Sequence, residues 1–289
     1  MKTPDRGAFL LAAPAHLLLA ITITIPAIYI LWLSLNDSTF GTQLTFVGLS
    51  NYFDVFADPS FWNAAKNTFF VVNGIVYIEI LLAVLIAAVL VSGVPFRPVL
   101  IAIILVPYAA SEVVTVLVWK SLMNPSYGLI GRTLMDLGIG LNWSVSPSDA
   151  LVLVGLISVW QHLPFSFLLI YAGMMAIPKS LYEAAAIDGA GTIQTFFKVT
   201  LPLLVPTILV AIIFRFVFAF RLFSEVWLLT GGGPARLTEV LAVYLYRDAY
   251  RTGDFGAAAA TGWLMVVGTL LFASVYLWFM HRGMRNGNV

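Results

Sequence analysis

An all-α, polytopic membrane fold is what this 289-residue sequence predicts, and three observations predict it. Hydrophobic residues make up 61% of the chain and charged residues 10%, with a mean hydropathy of +0.96. Soluble domains are only about half apolar and about a quarter charged. The apolar residues gather into six runs long enough to cross a bilayer core, which takes about 20 residues of helix. Between the fourth and fifth runs lies a polar, alanine-rich insert too short to span anything.

The first run covers residues 9–35, after Lys2 and Arg6. A basic start followed by an apolar stretch also suits a signal peptide, but that apolar region is only about 7–15 residues, so a retained helix is expected. The second run covers about residues 68–91, the third about 99–122 and the fourth about 151–177. Pro164, near the middle of the fourth, is expected to break its helix and free carbonyls that only protein or a water-filled cavity can satisfy. The fifth run, about 206–229, carries Arg215 and Arg221, and the sixth, about 257–280, is rich in Gly and Ala.

In the insert, Ser180 and Glu183 stand at capping-box spacing, Ala184, Ala185 and Ala186 favour helix, and Gly189 and Gly191 end it. From Thr192 a second short helix is expected to run until Pro202, which does not fit inside one. A helix–turn–helix of this size in water is a surface for another protein. Glu183 has two compatible readings, capping its own helix and meeting that partner, while Asp188 reads as a solvated carboxylate.

Six spans put both termini on one side of the membrane. That side, with the second and fourth loops, holds seven Lys and Arg (Lys2, Arg6, Arg97, Lys179, Lys198, Arg282, Arg285) against three acids. The other loops hold six against eight acids, three of the six in the long last loop. The excess of Lys and Arg places both termini and the insert in the cytoplasm. The outer loops are each about 30 residues without obvious structure, a length that is often functional. Gly231, Gly232, Gly233 and Pro234 form a permissive turn, read either as a gate or as a helix terminator.

Ionisable groups at membrane depth are costly and normally face a cavity or a partner. Glu79 and Arg215 lie deep and are expected to pair between helices, whereas Glu112, Arg221 and Glu225 lie near span ends, where snorkelling eases the cost. Arg221 and Glu225 are also spaced to pair along one helix. Trp160, Gln161, His162 and Phe165 combine ring faces with amide and imidazole groups, a set suited to a sugar. With Tyr108, Arg215 and Phe220 they are the candidate pathway residues. The plainer reading of His162 and of the Phe-rich fifth run is packing.

The insert from Glu183 to Ala190 with Leu201-Pro202 resembles the cytoplasmic "EAA" loop of membrane subunits from bacterial ABC importers that use a binding protein. Phe214-Arg215, Phe220-Arg221, residues 229–234, Tyr246-Arg247 and residues 254–259 extend the likeness. Together they make the chain similar to the first of two permease subunits in the carbohydrate-uptake branch, the maltose-transporter type with relatives for other sugars and glycerol phosphate. Val199 departs conservatively from the usual isoleucine. The resemblance implies a type I ABC importer fold of six transmembrane helices in a bacterial inner membrane. Residues 1–66 would hold the N-terminus, first helix and first outer loop, and residues 67–289 the core with its coupling loop at 178–206. It implies that Glu183, Ala184, Ala185, Asp188, Gly189, Ala190, Leu201 and Pro202 dock an ATPase. The implied partners are a second homologous permease, two cytoplasmic ATP-binding subunits that hold ATP and Mg, and an extracytoplasmic solute-binding protein.

No Gly-Lys pair exists anywhere in the chain, so there is no Walker A loop to cradle phosphates and no cofactor is expected here. His16, His162 and His281 are scattered and cysteine is absent, which leaves no metal or nucleophile constellation and makes an enzyme the weakest reading. The near-neutral formal charge of +1 gives no reason to expect nucleic acid as a partner. Two other functions remain open: import of a polyol phosphate such as glycerol 3-phosphate by the same architecture, and proton-driven transport through Glu79, Glu112 and His162.

Overall fold

The computed structural model describes residues 6–40 and 43–285. Lys2 and Asp5 of the charge count lie outside the described residues, as do the side chains of Arg6, Arg282 and Arg285. In chain order, the elements begin with α1 (Arg6–Ser34), a two-stranded antiparallel hairpin of β1 (Asn36–Asp37) and β2 (Thr45–Phe46), and α2 (Ser50–Ala57). There follow α3 (Pro59–Val91), α4 (Arg97–Ala109), α5 (Glu112–Leu122), α6 (Leu129–Asp136) and α7 (Pro147–Met175). Then come α8 (Lys179–Ile187), α9 (Thr192–Thr195), a π-turn (Phe196–Thr200), α10 (Leu201–Ala219) and α11 (Ser224–Leu229). The chain closes with α12 (Leu241–Arg247), a second π-turn (Asp248–Thr252) and α13 (Phe255–Arg285). Among the described residues, five helical runs are long and apolar enough to cross a membrane, and the pair α4 and α5 supplies a sixth if counted as one broken span.

The third span is therefore not one straight helix: α4 and α5 meet at 98°. Pro107 sits one turn before the corner, and the Gln161 side-chain amide donates to the carbonyls of both Pro107 and Ala110 at 2.8 Å. Without it the Ala110 carbonyl would be orphaned at membrane depth, while the Pro107 carbonyl also accepts the Ala110 N–H at 3.2 Å. The fifth span also ends early, at Ala219. No proline or glycine marks the stop; what favours it is burial, because turning the chain after Phe220 puts Leu222, Val226 and Leu229 into the core beside Val116, Leu153 and Ile157.

Two prolines behave otherwise than the sequence suggests. Pro164 lies inside α7, which runs unbroken, since the buried Ile157, Phe167 and Ile170 keep the helix packed on both sides of it. Pro202 does not end the helix begun at Thr192. The π-turn widens the backbone just ahead of it, with the Leu201 N–H reaching back to the Phe196 carbonyl, so the missing N–H of Pro202 is absorbed and helix continues to Ala219. The loops after the first, third and fifth runs, expected without structure, hold the β hairpin with α2, then α6, then α12.

The chain divides into two compact units, one of residues 1–61 with 244–266 and one of residues 62–243 with 267–289. In the first, the Asn51 amide donates to the carbonyls of Ser34 and Asn36 at 2.9 Å. A Cβ on Gly256 would lie 2.5 Å from the Asn36 carbonyl, so only glycine lets α13 start this close to the strand. Asp254 caps that start, its carboxylate accepting from the Ala257 N–H at 2.9 Å. In the second unit α7 is the central helix, packed by α4, α5, α10 and α11. Gly173 admits Thr207 and Leu204 of α10 where a Cβ would meet them at 2.8 to 3.1 Å.

Candidate functional site

Both helix breaks open onto the same cavity, of about 560 Å³, in the second unit. Tyr108 and Glu112 come from the corner between α4 and α5, Ser158, Gln161, His162 and Phe165 from the middle of α7, Arg215 and Phe218 from α10, and Arg221 and Glu225 from the break before α11. Irregular backbone inside a membrane survives where it lines such a space, and this is also where transport folds place their polar groups.

His162 Nε2 stands 3.6 Å from Glu112 Oε1, and its Nδ1 is 3.0 Å from the Ser158 carbonyl. The Tyr108 ring stacks on Phe165 with centroids 6.4 Å apart and meets His162 edge-on at 6.5 Å. Phe165 in turn meets Phe214 and Phe218 edge-on. Arg215 Nε donates to Glu79 Oε2, with the two side chains 2% and 0% exposed, which is the interhelical pair expected from their depth. Glu79 Oε1, Arg215 Nη2 and Gln161 Oε1 are buried without a hydrogen-bond partner. The wall thus combines ring faces with the His162 imidazole and the Glu112 carboxylate, a lining matched to hydroxyls on a carbon ring.

Of the seven pathway candidates, Tyr108, Gln161, His162, Phe165 and Arg215 come together here. Trp160 packs edge-on against Trp119 at 5.7 Å, and Phe220 is buried against Phe216, so neither lines the cavity. Arg221 and Glu225 do not pair, because the chain is not helical between them. Glu225 is buried and Arg221 exposed on the same cavity, and with Glu112, Ser158 and Phe218 they line it in addition to the expected pathway residues. Clustered ionisable groups near two span ends were the available signal.

The turn from Gly231 to Pro234 is firmly tied. Thr230 and Thr238 hydroxyls meet at 2.8 Å, Thr238 also donates to the Gly233 carbonyl, and the Asn67 amide reaches the carbonyls of Leu237 and Glu239 at 2.8 Å. Gly231 and Gly232 have φ of 63° and 85°, where L-residues are strained.

The insert folds as the helical hairpin α8 and α9, with one correction. Pro178, not Ser180, caps α8 and no side chain bonds there. Proline's preset φ and missing N–H suit a helix start, which begins the helix two residues early and leaves no capping box. Glu183 is released from that role and stands exposed with Ala184 and Asp188, while Ala185 turns inward. Gly189 closes the helix at φ 74°, as expected, and Ala190 N–H bonds back to the Ala185 carbonyl. Leu201 and Pro202 are half-buried at the base. Ile187 and Ile193, 87% and 76% exposed, add the apolar surface that the sequence reading overlooked.

A family model described as binding-protein-dependent transport system inner membrane component matches residues 9–283. The chain belongs to this family. Relatives of this inner membrane component include the trehalose/maltose transport system permease MalF of Thermococcus litoralis, 36% identical, with 93% of this chain and 92% of that one covered. The sulfoquinovosyl glycerol permease SmoG of Agrobacterium fabrum is also 36% identical, over 93% and 89%. The sn-glycerol-3-phosphate permease UgpA of Shigella flexneri is 34% identical, over 96% and 95%. Among solved structures, a bacterial ABC transporter involved in import of the acidic polysaccharide alginate aligns with a TM-score of 0.83, 22% identity and 96% of each chain covered. That likeness gives the fold, the type I ABC importer permease. The expected fold class and family hold.

Proposed function

We propose that this chain forms half of a sugar pathway in an ATP-driven importer, taking a neutral sugar or short oligosaccharide from an extracytoplasmic binding protein. The observation that carries the reading is the single cavity onto which both broken helices open, walled by Tyr108, Phe165, Gln161 and His162. Relatives that carry trehalose/maltose, sulfoquinovosyl glycerol and glycerol 3-phosphate support a sugar or polyol. Charge favours the neutral solute. Glu112 and Glu225 line the cavity, Arg215 is committed to Glu79, and Arg221 remains as the one further cation among the lining residues. A phosphate or sulfonate there would face as much repulsion as attraction. Arg221 is the observation that keeps a polyol phosphate as the second reading. A proton relay through Glu79, Glu112 and His162 is disfavoured, since Glu79 is bound to Arg215.

The second permease completes the pathway. The hairpin, with Glu183 flanked by Ile187 and Ile193, docks in a groove of a cytoplasmic ATP-binding subunit, one of two that hold ATP and Mg. Both chain termini lie in the cytoplasm. Closure of the ATP-binding subunits then moves α8 and the helices on either side of it, switching access.

Uptake tests the cavity. Glu225→Gln keeps the shape but replaces the carboxyl with an amide and should raise the transport KM for a neutral disaccharide by about fivefold, the worth of roughly 1 kcal/mol. Tyr108→Leu should raise it by a similar factor through the lost ring face. Unchanged KM in both variants, or a binding protein that ignores sugars and polyol phosphates and binds an amine or peptide, would overturn the assignment.

A further inference from the structure

We propose that a second cavity, behind the docking hairpin, seats one anionic phospholipid of the cytoplasmic leaflet. The cavity measures about 490 Å³ and is floored by Ala88 and Val91 at the end of α3 and by Met174 and Met175 at the end of α7. Its roof is the underside of the hairpin, Tyr182 and Phe196. Both α3 and α7 are long and apolar enough to cross a bilayer, and their apolar runs give out at Ser92 and at Lys179, which puts these ends where hydrocarbon gives way to headgroups. The rim is polar, made of the hydroxyl-bearing Ser92, Thr192 and Thr195 with the ammonium of Lys179. An apolar floor joined to a hydroxyl and cation rim fits a molecule that is part acyl chain and part polar head.

The sign of the head follows from the charges. No Asp or Glu lines this cavity. Lys179 is exposed and forms no ion pair among the described residues, not even with Glu183 one turn along α8. Beside Met175, the Arg97 guanidinium lies 4.9 Å over the Tyr171 ring and donates to the Met175 sulfur at 3.0 Å, again without a carboxylate. Two cations held at headgroup depth with no acid between them attract phosphate, as basic pockets at span ends do for acidic lipids. A free phosphate would use the rim and leave the floor empty, which separates the two sources. The Thr200 hydroxyl donates to the Tyr182 hydroxyl at 3.2 Å across the hairpin base, so a lipid seated here braces the docking element against α3 and α7.

The leaflet assignment rests on the hairpin facing the cytoplasm. The test uses the importer purified with the subunits it retains, placed in nanodiscs of phosphatidylcholine with increasing phosphatidylglycerol and read by native mass spectrometry. One phosphatidylglycerol should stay bound per copy of this chain where phosphatidylcholine does not. Lys179→Gln with Arg97→Gln should lower that retention at least about fivefold, the loss of two headgroup-level charges. Ala88→Phe, which fills the floor and leaves the charges alone, should lower it as well. Excess glycerophosphoglycerol, the head without chains, should not displace the lipid. Equal retention of both lipids, unchanged retention in the variants, or displacement by the bare head overturns the proposal. The side is read independently: the chain has no cysteine, so Gly191→Cys should react with an impermeant maleimide in inside-out vesicles and not in spheroplasts. Labelling in spheroplasts overturns the cytoplasmic leaflet whatever the lipid count.

Discussion

Arg215→Met in the assembled importer should cost about 3–5 kcal/mol of stability, because it leaves Glu79 as an uncompensated, fully buried charge. Glu79 is 0% exposed and one of its oxygens already lacks a partner, so no rearrangement of existing bonds replaces the guanidinium. The loss reads out as a lower Tm of the purified complex, or as failure to recover it at all. The paired variant Arg215→Met with Glu79→Leu should regain most of that stability, since an apolar pair of similar volume removes the buried charge altogether. The pair matters to the site as well as to the fold, because it takes Arg215 out of play as an anion receptor. The double variant should therefore still import a neutral sugar. A single variant as stable as the parent chain would show that the ion pair holds nothing together.

The other large effect is expected at the hairpin. Gly189→Pro demands φ near −65° where the backbone sits at 74°, and it deletes the N–H that bonds to the Ala186 carbonyl. The hairpin should lose its shape and uptake should fall by about tenfold or more, a loss of at least 1.4 kcal/mol in coupling. Membrane insertion should be unaffected, since no spanning helix is touched. Glu183→Lys leaves the fold of α8 intact, as no capping bond depends on Glu183, and reverses the charge on its exposed face. It should release the co-purifying ATPase while the permease itself remains assembled. Unchanged uptake and unchanged ATPase recovery in both variants would sink the docking role.

Much of this was legible because membranes restrict the options. Long apolar runs have to be helices, and Glu79 and Arg215, too deep to reach water, had to find each other. The hairpin was legible from Gly189, whose positive φ few other residues tolerate. The site was harder to read, for reasons local to a few residues. The corner between α4 and α5 depends on Gln161, fifty residues away, to bond the carbonyls of Pro107 and Ala110 at the end of α4. The early end of α10 has no local mark, being decided by the burial of Leu222, Val226 and Leu229. Once the chain turns there, Arg221 and Glu225 cease to be helix neighbours and become cavity lining. Pro164 and Pro202 misled in the opposite sense, since packing and a π-turn accommodate what an isolated helix would not.

That π-turn has a mechanical meaning. By absorbing Pro202 it joins the hairpin at Thr192 and the cavity wall at Arg215 in one helical run, with no loop between them. Their separation along the axis is about 35 Å at 1.5 Å per residue. On the proposed docking role, a displacement applied at the Thr192 end would arrive at the ion pair as the movement of a connecting rod, with motor and passage sharing a single stiff part.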